Sequence, residues 1–323
     1  MIDAIARGSI RKTQYQTEHS RGFLLDGEDS NSLVRFEVLP GITVLFYTFH
    51  SDRCETSFRY TERILTIDYC REGRVEWQRK TSAFSYLGEQ HLQISTQSDC
   101  SGTFGFPTRH FHGVTVCMQP ETAEASLQSA QEWFPVNPQQ IYRKFAAYGE
   151  DLVLRGHETL VPIMNQMSCL GTEASFALLR LKTLELLMAL QELKSFPQNT
   201  TRQYYPRSVV EKIHSVRELL CSDLTAHYTL PELAARFELS ETMLKRCFRS
   251  VYGNSVHAFL KNYRLEAGAA ALQQTGRSIS EIAMDVGYEN PSKFTAAFRA
   301  QFGMTPSQFR RVPAETERLS GTG

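Results

Sequence analysis

A chain of 323 residues with a formal net charge of zero and ordinary apolar content is too long for one small core, and two domains are expected. Its apolar runs break at charges well short of a membrane span, and residues 1–16 (MIDAIARGSIRKTQYQ) hold no apolar signal core, so composition excludes a membrane protein and points to the cytoplasm. Seven scattered cysteines, an odd number without a Cys-x-x-Cys, exclude a disulfide frame or zinc knuckle and read as reduced thiols.

The first 120 residues read as strands. Residues 36–49 (FEVLPGITVLFYTF) and 63–70 (RILTIDYC) are rich in β-branched and aromatic side chains. Arg71, Glu72 and Gly73 read as a turn into 74–79 (RVEWQR), making a hairpin. Residues 84–95 (FSYLGEQHLQIS) and 111–118 (FHGVTVCM) continue the pattern. Short strands punctuated by turns predict a small barrel or sandwich over about 36–119.

After Pro120 the period changes. Segments 121–134, 157–170 and 173–196 are helical by length and apolar spacing. In the last of them Phe176, Leu179, Leu186, Leu190 and Leu193 fall near heptad a/d positions. Two readings stand: a helix buried against its own barrel, or one that also buries a face in a homodimer. Residues 197–206 (PQNTTRQYYP) read as a linker. The N-terminal domain therefore takes 1–196, with its helices over 121–196. A C-terminal domain takes 207–312, and 313–323 form a flexible tail.

The zero charge hides an asymmetry. Residues 207–312 carry 14 Lys and Arg against 10 Asp and Glu, whereas residues 1–206 carry 20 against 23. The excess is modest and hints at a polyanionic partner.

That last third contains a repeat. Thr229 and Glu232 match Ser278 and Glu281, two capping boxes. Leu233 and Ala234 match Ile282 and Ala283, and Phe237 matches Val286. Ser240 then matches Asn290, each a good N-cap. Leu244, Phe248, Tyr252 and Gly253 match Phe294, Phe298, Phe302 and Gly303, with one extra residue in the second turn. Each copy is a short helix, a tight turn and a second helix whose apolar stripe packs back on the first: a helix-turn-helix unit. Between the copies, residues 255–276 read as one helix ended by Gly276. Twenty helical residues span about 30 Å, close to the roughly 34 Å of one DNA turn.

The second helices offer a reading face. With Leu244 and Phe248 inward, Glu241, Thr242, Lys245, Arg246 and Arg249 face outward. Arg246 suits a bidentate bond to guanine, with Thr242 one turn earlier on the same side. Lys245 and Arg249 suit phosphates. On the other helix Pro291, Ser292, Thr295 and Ala296 make a low surface for close approach, flanked by Lys293 and Arg299.

Residues 207–312 resemble the DNA-binding domain of the AraC/XylS family of bacterial transcription regulators. The resemblance rests on Ser278-x-Ser-Glu-Ile-Ala283, Gly287-Tyr288, Phe294, Phe298-Arg299, Phe302-Gly303, Pro306 and Phe309-Arg310-Arg311. It covers about a third of the chain. One departure is Glu238, where that family usually has glycine. The resemblance implies an α+β protein: an N-terminal cupin-like β-barrel with helices, and an all-α C-terminal domain with two helix-turn-helix units. It also implies that the barrel senses a small molecule or joins two copies, and that the second unit contributes phosphate contacts as much as base reading. Residues 69–78, 86–95 and 106–116 loosely resemble the pyochelin-regulator subgroup.

His110 and His112 share one face if they lie on a strand, as two metal ligands would. Glu89, His91 and His50 are the available companions, but the wider cupin spacing is not met and no metal is assigned. A ligand contact or a buried hydrogen bond is the expectation for His110 and His112. Arg109 would bind a ligand carboxylate or pair internally. The leading function is a non-enzymatic transcription regulator without a cofactor. Its partners would be double-stranded DNA, a small-molecule effector, a second copy and, as a candidate, RNA polymerase. A metal-cupin enzyme with a DNA-binding tail and a ligand-independent DNA-binding protein are the competing readings.

Overall fold

The structure, a computed structural model, describes residues 10–25, 31–56, 62–78, 83–98, 102–149, 151–170, 175–194 and 204–311. Positions 197–203 of the expected linker, the tail 313–323, Cys100 and both ends of the expected helix 173–196 lie outside them. The chain divides into two compact units, Met1–Arg207 and Ser208–Gly323.

The first unit is built on antiparallel strands β1 (Ile10–Gln16), β2 (Ser20–Leu25), β3 (Ser32–Leu39), β4 (Ile42–Phe49), β5 (Arg53–Thr56), β6 (Leu65–Gln78), β7 (Ala83–Gly88), β8 (His91–Ser95), β9 (Gly102–Gly105), β10 (Phe111–Met118), β11 (Leu152–Arg155) and β12 (Tyr205–Pro206). Helices α1 (Pro120–Leu127), α2 (Pro138–Ala146), α3 (Leu160–Leu170) and α4 (Phe176–Glu192) complete it. The first half of β6 pairs with β10 and β8 and its second half with β7 and β9, so one long strand joins two sheets and curls them into a half-barrel.

The strands differ from expectation in three places. Residues 36–49 are two strands joined at Pro40-Gly41, because Gly41 has φ +82° and a Cβ there would lie 2.6 Å from the Ala123 amide nitrogen. Residues 84–95 split likewise at Glu89-Gln90, with Gln90 at φ +56°. Residues 71–73, expected as a turn, lie inside continuous β6. A β-bulge at Arg71 pairs His112 with Glu72 and Gly113 with Cys70. The sheet also runs beyond 36–119: β1 and β2 precede it, β11 joins β8, and β12, within the expected linker, joins β7.

Both faces of the sheet are covered, which explains the near-continuous apolar runs. Val44, Phe46, Val114 and Val116 pack with residues of the four helices. Leu45, Phe49, Val75, Phe106 and Phe111 form the other, helix-free core, with the Phe49 and Phe106 rings stacked 4.6 Å apart. In α4, Leu179, Leu186 and Leu190 are fully buried in the first core, so the heptad face closes the protein's own interior. The expectation of that stripe as a dimer seam is therefore corrected. The apolar residues α4 exposes are others: Leu178, Leu181 and Met188.

The second unit comprises α5 (Arg207–Ser222), α6 (Leu230–Arg236), α7 (Glu241–Tyr252), α8 (Val256–Gln274), α9 (Ile279–Asp285), α10 (Pro291–Phe302) and α11 (Pro306–Phe309). The repeat is reproduced at the level of single hydrogen bonds. α6 and α9 each have 7 residues and a complete capping box; α7 and α10 each have 12 and end on a left-handed glycine. Leu239 donates to the Ala234 carbonyl and Tyr288 to that of Ala283, both at 2.9 Å, closing the same Schellman turn twice. α8 stops two residues before Gly276. Thr275 ends it in extended conformation, its backbone and hydroxyl both donating to the Ala271 carbonyl. Leu265, Leu272, Ile282, Phe294 and Phe298 form the core between α8, α9 and α10, with Phe302 only half-buried at its edge.

Candidate functional site

Helix α7 shows the predicted separation of faces. Leu244, Cys247, Phe248, Val251 and Tyr252 are buried, and Glu241, Thr242, Lys245, Arg246 and Arg249 are all exposed. Ser240 caps it by accepting from the Met243 amide at 3.2 Å. Lys245 donates to Glu241 one turn back at 3.0 Å, which leaves Thr242 and Arg246 as the adjoining i, i+4 pair. Along α10, Phe294 and Phe298 are buried; Ser292, Lys293, Ala296 and Arg299 are exposed, and Pro291 and Thr295 half-exposed. Asn290 fixes the entry of that helix by accepting from the Ser292 amide at 2.8 Å.

The sequence reading missed a basic cleft of about 430 Å³ beside α10, lined by His227, Tyr228, His257, Lys261, Arg264 and Lys293, among others. Lys261 and His257 come from α8, where they stand among apolar and small residues spaced for packing. Arg264 is structural: it donates to the Ala226 carbonyl at 3.1 Å, and burial lowers its pKa.

In the first unit, Arg109 sits at φ +55° with its Nε 2.9 Å from Asp52 Oδ1, the internal pairing of its two expected alternatives. His110 and His112 do share a face, but it is the helix-bearing side of the sheet, continuing Val114 and Val116, and not the half-barrel interior. His50, from the end of β4, joins them there: one ring nitrogen from each of the three lies within 4.8 Å of the others. Glu72 Oε2 lies 3.4 Å from His110 Nε2 and 3.6 Å from His112 Nδ1. Burial first, then His110, lowers the pKa of His112.

Glu89 and His91 are elsewhere. Glu89 accepts from the Gly73 amide at 3.0 Å. His91 is paired with Cys70 and Arg155 in the ladder; burial, then Arg155 and Arg74, push its pKa down to about 4. Two neighbouring guanidinium groups suit neither a proton nor a metal cation on this ring. The depressed pKa has a stability consequence. Between about pH 6.5 and 4 the unfolded chain takes up a proton that the folded one refuses. The neutral ring's contribution is thus complete above about pH 6.5 and falls by about 3 kcal/mol as the pH drops to 4. Melting curves of wild type and His91→Gln from pH 7.5 to 4.5 test this: the wild type should lose stability more steeply, and equal slopes would exclude it.

Two helix-turn-helix units carried by one connecting helix define a nucleic-acid-binding class of domain. Residues 233–312 match the family model described as a helix-turn-helix domain. The HTH-type transcriptional regulator MtrA of Neisseria gonorrhoeae is 34% identical over 84 residues, 26% of this chain and 28% of that protein. The right origin-binding protein of Escherichia coli K12 is 35% identical over 101 residues, 30% of this chain and 35% of that protein. The chain thus spans about a third of the length of the curated relatives it matches. Among solved structures, the C-terminal domain of the response regulator yesN from Fusobacterium nucleatum is 29% identical. It covers 31% of this chain and 96% of its own, with a TM-score of 0.28. Among the described residues no helix is long and apolar enough to cross a membrane.

Proposed function

We propose that this chain is a sequence-specific, double-stranded-DNA-binding transcription regulator acting in the cytoplasm without enzymatic activity. The observation that carries the reading is the repeated unit: two helices of equal length, capped and closed by the same hydrogen bonds, each presenting small, polar and basic side chains over a buried apolar stripe. α8, with 19 residues, is about 28 Å long, which suits two reading heads in successive major grooves on one face of the duplex. Transcription regulation is the activity named for MtrA, and it is extended here to the whole chain. RNA polymerase is the further partner this reading carries.

The division of roles follows from the faces. Thr242 and Arg246 meet base edges; Lys245, Arg249, Lys293 and Arg299 meet phosphates or groove edges, with Lys261 added by the cleft. Glu241 orients Lys245, while Pro291, Ser292, Thr295 and Ala296 permit close approach to thymine methyls. The N-terminal unit takes the effector and joins two copies through the exposed side of α4. Effector contact falls to His110 and His112 on the outer face. Arg109 would have to exchange Asp52 for a ligand carboxylate.

The test begins with an operator selected from random DNA by the full chain. One chain should protect two major-groove segments about one turn apart on one face. Arg246→Ala should lose about 1–3 kcal/mol of discrimination at one base pair. Lys245→Ala should weaken all sequences alike and flatten the salt dependence. Equal losses on operator and random DNA from Arg246→Ala would demote it to a phosphate contact, and protection on opposite faces would sink the two-groove reading.

A further inference from the structure

We infer that His50, His110, His112 and Glu72 form a binding site for a divalent transition cation of the zinc class. The site belongs to three neighbouring strands. β10 lies between β4 and β6, and each contributes at the same end: His50 follows β4, His110 precedes β10 and His112 is its second residue, and Glu72 stands on β6 directly opposite His112. The imidazole centroids are 4.6 to 5.9 Å apart, and the Glu72 carboxylate faces two of the rings.

Three observations separate this cluster from an incidental group of histidines. The Glu72 distances, 3.4 and 3.6 Å, are long for imidazole hydrogen bonds, so the carboxylate does not satisfy both rings. Among the described residues, His112 Nε2 is buried without a hydrogen-bond partner. And Arg71 Nε holds Glu72 Oε1 at 3.2 Å, the kind of outer contact that orients a ligating carboxylate.

The donor set is chemically selective. Imidazole nitrogens with one carboxylate suit zinc and its first-row neighbours, whereas magnesium and calcium prefer all-oxygen shells. Metal–ligand bonds of about 2.0–2.2 Å put tetrahedral donor atoms about 3.3 Å apart. The three nitrogens, all within 4.8 Å of one another, reach that by rotating partly exposed rings, while the strands stay in place. A bound cation would neutralise Glu72 and take one ring nitrogen from each histidine.

The inference does not rest on DNA binding, and the test keeps the two apart. Full-length protein is stripped with chelator, checked for operator binding, and titrated with Co²⁺ and then Zn²⁺. One Co²⁺ per chain should bind with visible d–d absorption, and one equivalent of Zn²⁺ should displace it. Glu72→Gln and His110→Gln should each weaken Zn²⁺ at least about tenfold. His257→Gln, in the other unit, should leave the Co²⁺ and Zn²⁺ affinities unchanged. Metal-free melting curves of the near-isosteric Glu72→Gln should match wild type, so that a lost site is told from a lost fold. An unsaturable titration, or unaltered affinity in both site variants, overturns the site while leaving the DNA reading intact.

Discussion

Leu186→Glu is expected to unfold the N-terminal unit, and Leu181→Glu, five residues earlier on α4, to leave it folded. Leu186 is fully buried among the sheet and helices, so the variant loses its apolar contacts and buries a carboxylate without a partner. Such a change costs about 4–5 kcal/mol or more, a large part of the 5–15 kcal/mol that holds a domain together. Leu181 is 54% exposed, and a charge there should shift stability by only about 0.5 kcal/mol. If a second copy packs on Leu178, Leu181 and Met188, the double variant Leu181→Glu, Met188→Glu should sediment as a monomer with an unchanged melting curve. It should also bind the operator more weakly, because a tethered second copy no longer raises the effective concentration. A Leu186→Glu protein with wild-type melting would refute the packing of α4. A double variant that stays dimeric would move the homodimer contact elsewhere.

Gly287→Ala and Glu238→Gly should have very unequal effects, although the two positions match in the repeat. Both residues are left-handed, at φ +82° and +50°. A Cβ on Gly287 would lie 2.0 Å from the Leu224 carbonyl oxygen and 2.8 Å from the Arg264 guanidinium carbon. Backbone strain of about 1–2 kcal/mol and a forced displacement of that loop should together cost about 3–5 kcal/mol. Operator binding should fall as the second unit loosens. Glu238 carries its side chain in open surroundings, its carboxylate 3.0 Å from Lys212 Nζ. Glycine there would relieve about 1 kcal/mol of left-handed strain, lose a weak surface ion pair and add unfolded-state freedom, for a net change within about 1 kcal/mol. Urea denaturation of both full-length variants reads the difference. Equal losses would mean that the Leu224 contact does not constrain the second turn.

The C-terminal domain was legible because its determinants are local. Capping boxes, left-handed turn positions and stripes at four-residue intervals are properties of neighbouring residues, and both copies carry them at matching positions. Even the departure at Glu238 could be traced to a left-handed backbone from its place in the repeat. What the local signal lacked was the basic cleft beside α10, whose side chains come from α8, α10 and the preceding loops.

In the first unit the sequence determined less. β-branched runs announced strands, and the α+β class followed, but short β5 and β9 carry too few residues for a period, and a sheet buried on both faces loses its alternation. Whether Leu186 faced its own core or a partner depended on what packs against α4, which no spacing along the helix contains. The histidine cluster shows the same limit most sharply. His110-x-His112 could be read from strand parity alone, but the carboxylate could not. Counting alternate residues along β6 from Tyr69 puts Arg71 on the histidine face and Glu72 on the opposite one. The bulge at Arg71, beside the left-handed Gly73 packed on the His110 carbonyl, shifts the parity by one and turns Glu72 toward the rings. Pairing across three strands decided that arrangement, because register is a property of the neighbouring chain and not of the segment itself.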